Sequence, residues 1–493
     1  MRIEFQSGDY GETACDLLAY PVFDEDLSDS GSLESLDRMT RGAVRTVFSS
    51  GEFKAGLHQT CRIYKPGGLK SRYLLLVGAG KKSRFEPAKA RDIAGTALRI
   101  AIAAAARTMA FVCRGHYSAL LEARLAAEGA LYANYDSGIY KTREKEYGEV
   151  HTLWLLFERG TPPRNAREGL RRGILVGEAT NFARTLVNEP SNILTPSRFV
   201  ERAAAAAASS GLSMRVLERD DMEKLGMNAL LAVSRGSEEA PKLIILETPK
   251  DSKKGIRRAT ALVGKGVTFD SGGISIKPSD KMEEMKADMA GGAAVLGAMT
   301  ALAQMRVPRP VIGLIPLVEN LPSGRAAKPG DVVKSYLGKT VEIINTDAEG
   351  RLILADALSY ARTLGAARIL DIATLTGSCI VALGHINAGM MGTDQTTINR
   401  LRSSCRITGE GLWQLPLDEE YGKAILSEIA DVKNVGDRWA GAITAAKFLQ
   451  EFVEETPWVH LDIAGMDLDT DGRPFACKGA TGFGVRTLVQ LLE

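Results

Sequence analysis

From about residue 240 onward, short apolar runs alternate with longer stretches of helical character, and this alternation narrows the fold more than any other feature. Leu243–Leu246, Ala259–Val263, Val311–Pro316, Val341–Ile344, Ile369–Ile372 and Val459–Ile463 each read as a brief buried strand. Between several of them lie helical segments such as Gly292–Met305 and Leu352–Leu364. Continuous apolar strands separated by helices imply a mostly parallel sheet covered on both faces. In such sheets ligands bind at the loops leaving the carboxyl ends of the strands. Those loops are where chemistry is expected.

The N-terminal third reads as a smaller α/β unit. Tyr73–Val77 (YLLLV) is a strand that runs into GAGKK, and a helix is expected over Ala88–Ala106. GAGKK lacks the G-x-x-x-x-G-K-[ST] spacing of a phosphate loop, so it reads as a strand-to-helix turn. Paired prolines in Gly160–Asn165 (GTPPRN) mark a linker, followed by a long helix over Ala166–Leu186. The expected organisation is an N-terminal α/β domain at 1–160, a linker and bridging helix at 161–185, and a larger catalytic α/β domain at 186–493.

Bulk properties exclude more than they assign. A chain of 493 residues can bury two cores. A net charge of +2 gives no basic footprint for nucleic acid. No stretch approaches the roughly 20 apolar residues of a membrane helix. The six cysteines are scattered without a C-x-x-C pair, and MRIEFQSGDY lacks a signal pattern, so a reducing cytoplasm is expected. The five histidines form no H-E-x-x-H. Any bound metal would therefore rest mainly on carboxylates.

The loops carry them. Val263–Pro278 (VGKGVTFDSGGISIKP) offers Lys265, Asp270 and Lys277; Met285–Gly292 offers Asp288 at the mouth of a helix; Asn345–Leu352 (NTDAEGRL) offers Asp347, Glu349 and Arg351; Thr374–Gly377 (TLTG) follows a further strand. In an extended segment Asp347, Glu349 and Arg351 would face one side together. Alone, Asp347 reads as a helix cap. Four carboxylates, each beside a strand end, need counter-charge, which a pair of divalent cations would supply. A dinucleotide fingerprint is ruled out, because Phe269 stands where its third glycine belongs.

NTDAEGRL, together with VGKGVTFDSGG at 263–273, the Met285–Gly292 block, WVHLDIAG at 458–465 and KGATGFGVR at 478–486, resembles the signature blocks of the leucine aminopeptidase family. The resemblance covers roughly residues 170 to 493. It implies a cytosolic, metal-dependent aminopeptidase that releases N-terminal, preferentially leucine-like residues from peptides with a free N-terminus. It further implies five ligands, Lys265, Asp270, Asp288, Asp347 and Glu349, for two divalent ions (Mn²⁺ or Zn²⁺). Asp270 and Glu349 would bridge the ions, and the backbone carbonyl of Asp347 would contribute as well.

Lys277 and Arg351 would be catalytic without binding metal: Lys277 at the tetrahedral oxyanion, Arg351 holding a bicarbonate that shuttles a proton. Without the resemblance, Arg351 reads as a salt-bridge partner of Glu349. A lysine ligand must be neutral, and drawing its pKa from about 10.4 to below 7 costs roughly 4 to 5 kcal/mol, which an adjacent dication must offset. The implied side-chain pocket is Met285, Asn345, Ala348, Thr374, Leu375, Gly377 and Ala464, with Asp467 just beyond it expected to face solvent. The family assembles as hexamers, so a homohexamer is implied. Rival readings are a dipeptidase-like variant of the same site and a non-catalytic oligomeric binding or regulatory protein that keeps the fold. The seven polar positions being intact counts against the second.

Overall fold

The computed structural model describes residues 1–27, 29, 31, 33–143, 148–158, 164–249 and 259–493. They form two compact units. One comprises Met1–Asn181 with Arg406–Gly409 and Thr470–Lys478; the other comprises Phe182–Cys405, Glu410–Asp469 and Gly479–Glu493. Most of the linker expected at 160–165 lies outside the described residues. The helix after it spans Ala166–Asn188.

The first unit holds six strands: β1 (Arg2–Phe5), β2 (Leu17–Phe23), β3 (Thr60–Tyr64), β4 (Tyr73–Gly80), β5 (Thr108–Cys113) and β6 (Thr152–Phe157). Their order is β1-β6-β5-β2-β4-β3, with β3 antiparallel and the others parallel. All seven residues of β2 are buried, as expected of a central strand covered on both faces. The GAGKK turn leads through a short 3-10 turn, Lys82–Arg84, into the helix Pro87–Ala103.

In the second unit the strands are β7 (Ser213–Leu217), β8 (Lys242–Glu247), β9 (Ala259–Gly264), β10 (Gly266–Asp270), β11 (Val311–Asn320), β12 (Asp331–Lys334), β13 (Thr340–Ile343), β14 (Ala366–Ala373), β15 (Ala388–Gly392), β16 (Leu412–Gln414), β17 (Val432–Lys433) and β18 (Trp458–Asp462). The main sheet runs β16-β15-β18-β14-β9-β11-β8-β7, with β10 paired to β11. Its centre, β18-β14-β9-β11, is parallel; β15 and β8 flank it antiparallel. Helices Ala290–Met305 and Glu349–Thr363 lie against it, and Leu354, Leu358, Val263, Leu314 and Ile369 share one core. Gly291 is pressed so close to β14 that a Cβ there would sit 2.0 Å from the carbonyl oxygen of Ile372. Glycine is what lets that helix begin at the sheet edge.

Two expectations change. The strand expected at Val341–Ile344 exists as β13, but it belongs to a separate three-stranded sheet, β12-β13-β17. Residues 266–270, expected as loop, form β10. The flanking glycines suggested a turn, whereas pairing with β11 lets Val267, Thr268 and Phe269 express their strand preference.

Candidate active site

The carboxyl edge of the parallel strands gathers the charged residues. Lys265 directly follows β9, Asp270 ends β10, Thr374 follows β14 and Asp462 ends β18. Asp288 precedes the helix Ala290–Met305, held by a hydrogen bond from Gly292 N to Lys265 O at 2.7 Å. The acidic turn Asn345–Ala348 arrives from β13 and leads into the helix Glu349–Thr363.

Two lysines sit among the four carboxylates. Lys265 is buried, and its Nζ donates to Asp288 Oδ1 at 2.7 Å and Thr374 O at 2.9 Å and lies 2.8 Å from Glu349 Oε1. Gly350 makes the room: a Cβ there would lie 2.6 Å from Lys265 Cε. Lys277 reaches Asp270 Oδ2 at 2.8 Å and also pairs with Asp347. Asp270 Oδ1 accepts from Gly272 N at 2.9 Å and Asn320 Nδ2 at 2.8 Å. One oxygen each of Asp270, Asp347 and Glu349 lies within 4.8 Å of the other two.

Burial works against every charge here. Burial lowers Lys265, but Asp288, Glu349 and Asp270 outweigh it and hold its pKa above the ordinary lysine value. Lys277 is raised in the same way by Asp270 and Glu349. Asp288 is pushed up by burial although Lys265 pulls it down, and Asp347 is pushed up by burial against Lys277. Glu349 is raised by burial and then by Asp270. Four acids against two cations leave a surplus of negative charge. Two buried oxygens, Asp288 Oδ2 and Glu349 Oε2, have no hydrogen-bond partner among the described residues. A hard divalent cation fits that donor set.

Arg351, in the first turn of its helix, is buried, and its Nη1 donates to Asn434 O at 2.6 Å. Its Nε has no hydrogen-bond partner among the described residues. Burial lowers its pKa to about 10, with Glu349 and Asp462 opposing. A buried guanidinium with a free donor suits a small planar anion.

The seven polar residues expected from the sequence converge, but by another route. Asp347, Glu349 and Arg351 do not alternate along an extended strand; Asp347 lies in a turn, and Glu349 and Arg351 open a helix. Their grouping comes from the bend between β13 and that helix. Of the expected pocket residues, Thr374 donates Oγ1 to Asp288 at 2.7 Å, while Leu375 N and Ala464 N donate to Asp462 Oδ1 at 3.0 and 3.2 Å. Asn345 Oδ1 accepts from Asp347 N at 2.9 Å, and Ala348 N bonds to Asn345 O at 3.2 Å, so both brace the acidic turn. Met285 O receives Asp288 N at 3.3 Å. Gly377 is exposed at the start of the helix Gly377–Leu383. Asp467, expected to face solvent, is instead partly covered, and burial, with Glu284 adding, raises its pKa to about 6.

Sequence reasoning missed three supports. Fully buried Asn434 accepts from Ile344 N at 2.8 Å and donates to Asn345 O at 2.7 Å, pinning the acidic turn from the far side. Asn320 joins Asp270 to Thr346 O, the latter at 3.0 Å. Asp462 gathers the loop at 374–376, accepting from Thr376 Oγ1 at 2.7 Å. Only the DIAG run around Asp462 offered a local signal.

Comparison with known proteins gives consistent matches. The family model described as "Cytosol aminopeptidase family, catalytic domain" matches residues 181–489, and the one for its N-terminal domain matches 20–144. A probable cytosol aminopeptidase of Solibacter usitatus is 45% identical over 491 residues, covering 100% of this chain and 99% of the relative. Among solved structures, a variant of tomato leucine aminopeptidase has a TM-score of 0.90 at 33% identity, covering 100% of this chain and 96% of that one. The bottromycin maturation enzyme BotP in complex with Mn has a TM-score of 0.85 at 34% identity, covering 97% and 99%.

Proposed function

The chain belongs to the cytosol aminopeptidase family and is a leucyl aminopeptidase, a metal-dependent hydrolase, and on that premise we propose which of its residues do the work. Lys265, Asp270, Asp288, Asp347 and Glu349 hold two divalent cations, Mn²⁺ or Zn²⁺. The observation that carries this is the pair of buried, partnerless oxygens on Asp288 and Glu349 within a cluster of surplus negative charge. When bound, such ions lower the pKa of a water toward about 7 and polarise a carbonyl.

The remaining steps belong to side chains. Lys277 donates to the oxyanion that forms at the scissile carbonyl, a charge present only on the way to the tetrahedral state. Arg351 holds a bicarbonate through its free Nε, within reach of the proton that must pass from water to leaving amine. Met285, Asn345, Ala348, Thr374, Leu375, Gly377 and Ala464 line a mostly apolar pocket for the first side chain, which favours leucine-like residues. A substrate with a free N-terminus offers an α-amine whose nitrogen lone pair one of these ions could hold when bound, and an N-acylated substrate does not.

The catalytic machinery lies within 186–493. We assign the chain to the cytoplasm as a homohexamer; among the described residues no helix is long and apolar enough to cross a membrane. The test is hydrolysis of leucine p-nitroanilide by metal-stripped protein with and without added Mn²⁺ or Zn²⁺, beside an N-acetylated control. Activity requiring both metal and free amine is expected; activity on the acetylated substrate would overturn the assignment.

A further inference from the structure

Asp270 and Asn320 end the neighbouring parallel strands β10 and β11 and stand opposite each other in register. Both are buried. The Asn320 amide nitrogen donates twice, to Asp270 Oδ1 at 2.8 Å and to the carbonyl oxygen of Thr346 at 3.0 Å. Both partners are acceptors, so the amide has one orientation and its two hydrogens are spent. One side chain ties a carboxylate of the charged cluster to the turn that carries Asp347.

Asp270 Oδ1 also accepts from Gly272 N at 2.9 Å, which fills its two lone-pair positions. Oδ2 meets Lys277 Nζ at 2.8 Å and has room for one more partner. An uncharged donor holds the carboxylate and leaves the negative surplus intact, where a lysine would neutralise it. The surrounding backbone does not need the amide. Ser271 N and Oγ donate to the main-chain oxygen of Asn320 at 3.0 and 2.7 Å, and Thr346 Oγ1 reaches Gly272 O at 2.7 Å. What the amide adds is a fixed carboxylate.

We propose that Asn320 is a positioning residue for the metal centre. By filling Asp270 Oδ1 it makes Asp270 a ligand through Oδ2 alone, and by holding Thr346 O it sets that oxygen against the turn of Asp347. This rests on the assignment of Asp270 and Asp347 as ligands. The partners that orient metal ligands tune affinity almost as strongly as the ligands themselves.

The test uses the full chain stripped of metal, with Mn²⁺ and Co²⁺ as probes. Asn320→Leu keeps the side-chain size and removes both donors; Asn320→Ala, which adds no bulk, replaces it if the leucine variant does not fold. Mn²⁺ titration followed by electron paramagnetic resonance gives the dissociation constants, and visible absorption of the Co²⁺-loaded protein reports the ligand set. The dissociation constant of at least one ion is expected to rise about 10- to 100-fold, the scale of loss when a ligand's hydrogen-bond partner is removed. The cobalt band should change as well, because Oδ1 becomes free to bind. Unchanged Mn²⁺ affinity would overturn the positioning role alone. So would weaker affinity with the parent's cobalt band, which would mean that the amide only steadies the fold. An Asp270→Asn variant that holds both ions as tightly as the parent would overturn the ligand assignment and this role with it.

Discussion

Both units place charged side chains at the carboxyl ends of parallel strands, yet the two clusters differ in charge balance. In the N-terminal unit Asp26, just past β2, pairs with Arg114 and with Lys82, the latter at 2.9 Å, and Arg114 Nε lies 3.6 Å from Glu158. In these pairs two cations face two carboxylates, while Glu25 beside them accepts from the Lys82 amide at 3.0 Å. Burial would raise the Asp26 pKa, but Arg114 and the Phe23 amide outweigh it and hold it below the ordinary carboxylate value. In the catalytic unit four carboxylates face two lysines, and Asp288, Asp347 and Glu349 are all pushed upward. Topology brings charge to the strand ends in both. The uncompensated surplus is what marks the second as a binding centre.

Substitutions should separate the two clusters. Asp347→Asn or Glu349→Gln should each lose a metal and cut kcat about 10³-fold or more while the fold survives; metal analysis beside steady-state kinetics checks this, and two tightly held ions in either variant would break the contrast. Lys277→Ala should retain metal while kcat drops about 10²- to 10³-fold, as for loss of an oxyanion donor. Arg351→Ala should cost about tenfold, because water can partly replace a proton shuttle; a bicarbonate dependence identical to the parent's would remove Arg351 from that role.

The balanced cluster should respond in stability alone. Asp26→Asn should cost about 2 kcal/mol in denaturant unfolding, because Arg114 loses its nearer carboxylate and keeps only Glu158 while partly exposed Lys82 loses its pair, with turnover of the folded enzyme unchanged. Because the folded pKa of Asp26 is depressed, its contribution is present above the unfolded value of about 3.9 and is lost as pH falls through the folded one. The melting-temperature gap between parent and variant should therefore close in strong acid. A gap that persists there would mean packing, not charge, holds this cluster.

Much of the catalytic site was legible because its ligands sit in short local runs. VGKGVTFDSGG and NTDAEGRL each carry several polar groups within a few residues, and turn residues such as Gly272, with φ +87°, keep such runs recognisable. The strands β9, β11, β14 and β18 were visible for a similar reason: a strand buried on both faces is an unbroken apolar run. The sheet membership of β13 was not, since four residues look alike in either sheet. The strand character of β10 was hidden by Gly266 at its start and by the glycines on either side.

The sequence by itself determined the charged residues, the central strands β9, β11, β14 and β18 with helices between them, and the resemblance that named the chemistry, because each of these is written in neighbouring residues. Only the tertiary structure decided how the charges are balanced and braced. Asn434 reaches Arg351 across 83 residues, Asp462 reaches the 375 amide across 87, and His460 meets Asp371 across 89. A hydrogen bond between distant residues leaves no periodicity along the chain. It is set by which strands lie side by side and how closely helices approach them.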